Sequence, residues 1–188
     1  MTQTAPGRPA VFLDRDGVLN EVFIREGVPT PPQSIDQFRL LPGVPEACAE
    51  LRAAGFVLVV VTNQPDIARG TQTRAAVDRI HEHLRALVSL DEICVCPHDD
   101  ADGCACRKPQ PGMLLEAAER LNLDLSRSVC VGDRWRDIEA AQRAGVRSVH
   151  IDGNYGEQPV VGADAVAASL LDAMGWIRTF TRCGGEQT

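Results

Sequence analysis

Aromatic side chains make up only 4% of the 188 residues, and there is no surplus of positive charge. The net charge is −7 and the pI about 5.1. A nucleic-acid-binding module needs a basic face interleaved with aromatics, so that class is excluded and no nucleic-acid partner is expected. No apolar run approaches the ~20 residues that span a bilayer, so no membrane partner is expected either. Residues 1–9 lack the apolar core of a secretory signal, which points to a cytoplasmic protein. An even set of cysteines is missing as well: there are seven, mostly clustered at metal-like spacing. In a reducing compartment that spacing reads as metal binding before disulfides.

What is present is ordinary globular composition, 44% hydrophobic and 24% charged, enough for one domain with one sizeable core. A monomer is expected. Short β-branched runs alternate with amphipathic stretches. AVFLD (10–14), FVLVVVTN (56–63), EICVC (92–96), SVCVGD (128–133) and VRSVHID (146–152) read as buried strands. Residues 43–55, 73–90, 111–123, 138–145 and 161–174 read as helices, the first and fourth closed by glycine. Residues 21–39, with three prolines, read as a loop or flap. The fold expected is α/β: a Rossmann-like parallel sheet with helices on both faces. Residues 1–9 form a flexible lead, 10–175 one domain with a metal loop at 96–106, and 176–188 a tail.

Ligands of such sheets bind beyond the carboxyl ends of the strands. Asp14, Thr62, the 96–108 loop and Asp133 all fall there. DRDG places Asp14 and Asp16 two apart, with Gly17 permitting a tight turn. GDRWRD adds Asp133 and Asp137. Either acidic pair alone is explained equally well by a turn or a helix cap. Together, each after a buried strand and with Lys108 between, they make a set of hard oxygen ligands suited to Mg²⁺ and a phosphorylated substrate.

CVCPHDDADGCACRKP (94–109) holds softer donors, which favour zinc. In an extended segment Cys94, Cys96 and His98 share one side, so periodicity cannot choose between Cys94 and His98 as partner of Cys96. A filled Cys₃His site has no open position and is structural. Cys48 and Cys130 lie on apolar faces and Cys183 is isolated. His81 and His83 cannot share a helix face; His150 fills a strand position.

FLDRDGVLN, VVVTNQ, CRKPQPGM and VGDRWRDIEAA resemble, in order, the four motifs of the haloacid dehalogenase superfamily, from Val11 to Ala141. The closer resemblance is to its subgroup of heptose-bisphosphate and histidinol-phosphate phosphatases, which carry a C-x-H…C-x-C loop before R-K-P. That likeness implies Asp14 as nucleophile and Asp16 as general acid and base. It implies Mg²⁺ on Asp14, the main-chain carbonyl of Asp16, and Asp133. Thr62 and Asn63 are implied as phosphate donors, and Lys108 as the charge stabiliser that also holds Asp14. Arg107 and Arg134 are implied in substrate binding. The zinc set implied is Cys96, His98, Cys104 and Cys106, with Cys94 a strand-end bystander.

The five residues between His98 and Cys104 resemble the histidinol-phosphate loop. TNQPDIARG and the PGMLL helix start look more like the heptose enzymes, so a sugar bisphosphate is the expected substrate. Pro65-Asp66 departs from the small pair usual there, and the segment 21–25 from the usual flap wording. No large cap insertion interrupts the motifs, so the site should be open.

Overall fold

The computed structural model describes residues 7–25, 28–153 and 159–183. In chain order the elements are β1 (Ala10–Leu13), β2 (Phe23–Arg25), β3 (Val28–Thr30), α1 (Val44–Ala53), β4 (Val57–Asn63), α2 (Arg74–Leu87) and β5 (Glu92–Cys96). They continue as α3 (Gly112–Leu121), β6 (Val129–Gly132), α4 (Trp135–Ala144), β7 (Arg147–Ile151), β8 (Ala165–Ala167) and α5 (Leu170–Cys183). Six strands form one sheet in the order β5-β4-β1-β6-β7-β8, every pairing parallel.

The central strands β4, β1 and β6 have no polar face. β1 sends Val11 and Leu13 to one side and Ala10 and Phe12 to the other. β4 and β6 alternate likewise. One side is covered by α1, α2 and α5, through Leu51, Ile80, Leu84 and Ile177. The other is covered by α3 and α4, through Met113, Leu114, Ala140 and Ala141. Burial on both faces is why these strands read as continuous apolar runs rather than alternating ones. After β1 the chain builds outward through β4 and β5, then returns to β6 on the opposite side of β1. The crevice at this reversal is where such sheets hold ligands.

Three expectations change. The segment 21–39 contains a hairpin, β2 paired antiparallel with β3, and a 3-10 turn at Ile35–Gln37. The fourth helix starts at Trp135, ahead of residue 138. The last helix does not occupy 161–174. Its first part is β8, paired with β7, and the helix begins at Leu170 and runs to Cys183, into the segment read as a tail. Alanine-rich sequence favours helix locally, but Asp164 draws the chain onto the sheet edge, accepting from Ser148 N at 2.8 Å. Ser169 then caps α5, its Oγ accepting from Asp172 N at 3.1 Å. S-L-L-D is a capping signal that was there to be read.

Of the expected flexible lead, residues 1–6 lie outside the described residues, while Arg8 is hydrogen-bonded through its main chain to Asn122 and Asp124. Among the described residues no helix is long and apolar enough to cross a membrane.

Candidate active site and metal centre

A cavity of about 360 Å³ opens at the crevice, lined by Asp14 and Asp16 after β1, Thr62 and Asn63 at the end of β4, and Arg107 and Lys108. Arg134 reaches it from the start of α4. Every catalytic and substrate-binding residue expected from the sequence therefore borders one space.

Asp14 is 8% exposed. Its Oδ1 accepts from the backbone N–H of Arg15 at 2.8 Å and pairs with Lys108 Nζ at 2.9 Å. Both contacts fall on one oxygen, so neither engages Oδ2. Burial above all, opposed by Lys108 and reinforced by the charges of Asp137 and Asp16, raises Asp14 to about 6.

Lys108 is the chain's one lysine and is 2% exposed. Besides Asp14, its Nζ donates to Val61 O at 2.8 Å and to Asp137 Oδ1. All three ammonium donors are thus used. Burial works against its charge, yet Asp137 and Asp14 outweigh that and push its pKa up. Asn63 grips the main chain of Lys108 from both sides, Oδ1 accepting from Lys108 N at 3.1 Å and Nδ2 donating to Lys108 O at 3.0 Å. Its side-chain amide therefore also places Lys108, and the second N–H of Nδ2 is left over at the cavity it lines. Thr62 keeps its place at the cavity, Oγ1 accepting from Gln64 Nε2 at 3.0 Å.

Asp16 receives four hydrogen bonds. Arg15 Nε and Asn20 Nδ2 donate to Oδ1 at 3.1 and 2.9 Å; Arg15 Nη2 and Gln64 Nε2 donate to Oδ2 at 2.8 and 2.9 Å. Burial opposes its charge, but the Arg15 guanidinium and these donors hold it below the usual carboxylate range. Gly17, at φ 86°, makes the turn that brings Asn20 back to it, a backbone region open to glycine.

The acidic cluster is Asp14, Asp133 and Asp137, whose carboxylate oxygens approach within 4.8 Å of one another. Asp137 is spoken for: Oδ1 by Lys108, Oδ2 by Arg134 N at 3.1 Å. It packs so closely on Gly132 that a Cβ there would meet its own Cβ at 2.1 Å. This is why β6 ends in glycine. Asp133 is 4% exposed and neither carboxylate oxygen has a partner. Burial, then Asp14 and Asp137, raise its pKa well above the ordinary value. Four acids, Asp14, Asp16, Asp133 and Asp137, face three cations, Lys108, Arg15 and Arg134. A divalent cation with a preference for oxygen fits both the charge and the orphaned carboxylate. The carboxylate of Asp16 is outside this cluster, which leaves its main-chain carbonyl as the donor ascribed to it.

The softer cluster stands apart. Cys96, His98, Cys104 and Cys106 gather within 4.8 Å, with Sγ–Sγ separations of 3.3–3.7 Å. The edge of a tetrahedral zinc–thiolate site is about 3.8 Å, so the donor set fits. Hydrogen bonds from Cys106 and the Arg107 backbone overcome burial to bring Cys104 down to about 7. Cys94 is outside the cluster, its Sγ 3.5 Å from Arg120 Nη2. The cluster leads directly into Arg107, which is held by Asp100 Oδ1 at 2.8 Å and His98 O at 3.1 Å. Arg136 shares Asp100, and Arg69 is forked onto Asp99. Both arginines reach the cavity, giving it a cationic rim opposite its acidic floor. Asp66, the departure after TNQ, also faces the cavity and accepts from Gln33 Nε2 at 3.4 Å.

A family model for haloacid dehalogenase-like hydrolases matches residues 21–145. The chain belongs to the haloacid dehalogenase-like hydrolases. A D-glycero-β-D-manno-heptose-1,7-bisphosphate 7-phosphatase of Yersinia pestis is 41% identical over 160 residues, covering 78% of this chain and 79% of that one. Its namesake from Rhodopseudomonas palustris is 37% identical, covering 81% and 88%. Among solved structures, the D,D-heptose 1,7-bisphosphate phosphatase of B. bronchiseptica, complexed with magnesium and phosphate, is 34% identical with a TM-score of 0.77. That match covers 91% of this chain and 98% of the other. The residues of this chain that sequence reasoning left without a role are Arg15, Asn20, Gln64, His81 and the two rim arginines Arg69 and Arg136. Asp137 was visible in GDRWRD, but its pairing with Lys108 was not.

Proposed function

We propose that this protein is a Mg²⁺-dependent phosphomonoesterase that turns over through an aspartyl phosphate on Asp14. The substrate we assign is a sugar bisphosphate, with the C7 phosphate of D-glycero-D-manno-heptose 1,7-bisphosphate as the group removed. The observation that carries this is the buried Asp133 with two unpartnered oxygens, beside a nucleophile already held by lysine.

Asp14 attacks phosphorus as the bond to the leaving oxygen breaks. Asp16, held ionised in the free protein, takes up a proton as the substrate's negative charge arrives beside it, gives that proton to the leaving oxygen, then takes one from the water that cleaves the acyl phosphate. Lys108, locked by Asn63, Val61 and Asp137, holds Asp14 in place and faces the transferred phosphoryl. Thr62 Oγ1 offers it a hydrogen bond. Asp14, Asp133 and the main-chain carbonyl of Asp16 would hold Mg²⁺, which would supply the positive charge that lets one anion approach another. Arg107, Arg134, Arg136 and Arg69 suit a second phosphate at the rim, where a planar fork matches phosphate oxygens. Cys96, His98, Cys104 and Cys106 would hold Zn²⁺ in a closed site, which would serve structure and not chemistry. The enzyme is proposed to act in the cytoplasm as a monomer.

The second reading is a histidinol-phosphate phosphatase, favoured by the five-residue spacing from His98 to Cys104. Phosphate release from a panel of phosphomonoesters, with metal analysis of the same sample, separates the two. The heptose bisphosphate is expected to give the highest kcat/KM. About tenfold better turnover of histidinol phosphate would overturn that choice. Asp14→Asn should lower turnover about a thousandfold or more, since an amide cannot form the acyl phosphate. Unchanged activity would remove Asp14 as nucleophile.

A further inference from the structure

Arg15 is the largest side chain with no exposure at all. Its guanidinium faces two ways. Nε and Nη2 form a fork on the carboxylate of Asp16, and Nη1 lies 2.9 Å from Nε2 of His81. A guanidinium only donates, so Nε2 is the acceptor and the imidazole proton sits on Nδ1. His81 is 6% exposed in the middle of α2. Burial first, then the charge of Arg15, push its pKa down to about 4, so the ring stays neutral and able to accept. No residue of α2 lines the cavity. The contact with Arg15 is therefore the one polar link described between this helix and the reacting groups.

We propose that His81 is a positioning residue for the general acid and base: by fixing Arg15, it sets the direction of the Asp16 carboxylate. Asn20 and Gln64 share the hold on Asp16, and a fork between neighbouring residues fixes Asp16 relative to the guanidinium but does not tie the guanidinium to the rest of the fold. A third contact, to a ring packed in a helix sixty-six residues away, supplies that tie. Misplacing a proton donor by a fraction of a bond length weakens transfer without preventing binding. The inference rests on the phosphatase reading above, in which Asp16 protonates the leaving oxygen as the P–O bond breaks and Asp14 bonds to phosphorus.

The test compares kcat/KM on an alkyl phosphate, the sugar bisphosphate, with p-nitrophenyl phosphate, whose phenolate departs without a proton. His81→Phe keeps a ring and removes the acceptor; His81→Gln restores an acceptor. His81→Phe is expected to lose about tenfold on the sugar phosphate and less than about threefold on the aryl ester. His81→Gln should recover to within about threefold of the wild type on both. Equal losses on both substrates, or none on either, would overturn the proposal. Where His81→Phe does not fold, His81→Met, apolar and adaptable, is read by the same criterion. Asp16→Asn is the reference and should show the steeper version of the same split. If it loses both substrates equally, the general-acid role of Asp16 falls and this proposal with it. A wild type inactive on every phosphate ester would instead sink the phosphatase reading.

Discussion

Lys108 ties three separate segments together through one nitrogen: Asp14 after β1, Val61 in β4 and Asp137 in α4. Removing it leaves two buried carboxylates facing each other without a counter-charge. Breaking a buried pair this way costs about 3–5 kcal/mol. Lys108→Met should therefore lower the unfolding free energy of the metal-free protein by about 3 kcal/mol and abolish turnover. Denaturant unfolding checks the first and phosphate release the second. A midpoint unchanged from the wild type would show that the lysine has no anchoring role. At this scale the sequence was most legible in position: Asp14 and Asp16 follow β1, Thr62 lies near the end of β4, Lys108 follows the loop after β5, and all four line one cavity. It was silent on Arg15 with His81 and on Asn63 with Lys108. Those contacts link residues far apart in the chain, and the amino-acid types involved are equally at home in a solvated loop or helix.

The loop between β5 and α3 is the element on which both metal and substrate arguments converge. Its acidic turn, Asp100–Asp102, capped by Asp99, supplies the carboxylate that holds Arg107, and the carbonyl of His98 supplies a second hold. Without a tetrahedral clip those partners have no reason to stay in place. Cys104→Ser is expected to lose zinc, raise KM sharply and lower kcat, while the Mg²⁺ concentration needed for half activity stays the same. Metal analysis beside a Mg²⁺ titration reads both. A zinc-free variant with wild-type kinetics would break the link between clip and arginine. Among elements, β1, β4 and β6 were readable because both faces are apolar, and β5 and β7, nearer the edges, from short runs with β-branched residues. The hairpin of β2 and β3 was hidden by its prolines and short length. β8 was hidden because alanines say little, and it is a surface acid, Asp164, that pins them to the sheet through Ser148 N.

The whole molecule is acidic, and part of that excess is concentrated at the crevice. Asp14 is raised from 3.8 to about 6, and Asp133 is raised too, chiefly by burial. Between these two pH values the folded metal-free protein holds protons that the unfolded chain has released. Its stability therefore falls as pH rises through that window, and the repulsion is complete once Asp133 has ionised as well. Mg²⁺ relieves that repulsion and needs ionised ligands, so its stabilising effect grows with pH. The rise in Tm on adding Mg²⁺ should be larger at about pH 7.5 than at about pH 5. Equal shifts would mean that the carboxylates are not the site of binding. The sheet class and the position of its crevice were legible because strand ends and acids coincide; which side of β1 each strand takes was not, since strand order depends on contacts between distant segments. The arginine surface has one more consequence. With Lys108 the chain's one lysine, and closed off by its three partners, an amine-selective acylating reagent finds a single side-chain target. Its slow modification becomes a clock for how often the catalytic crevice opens.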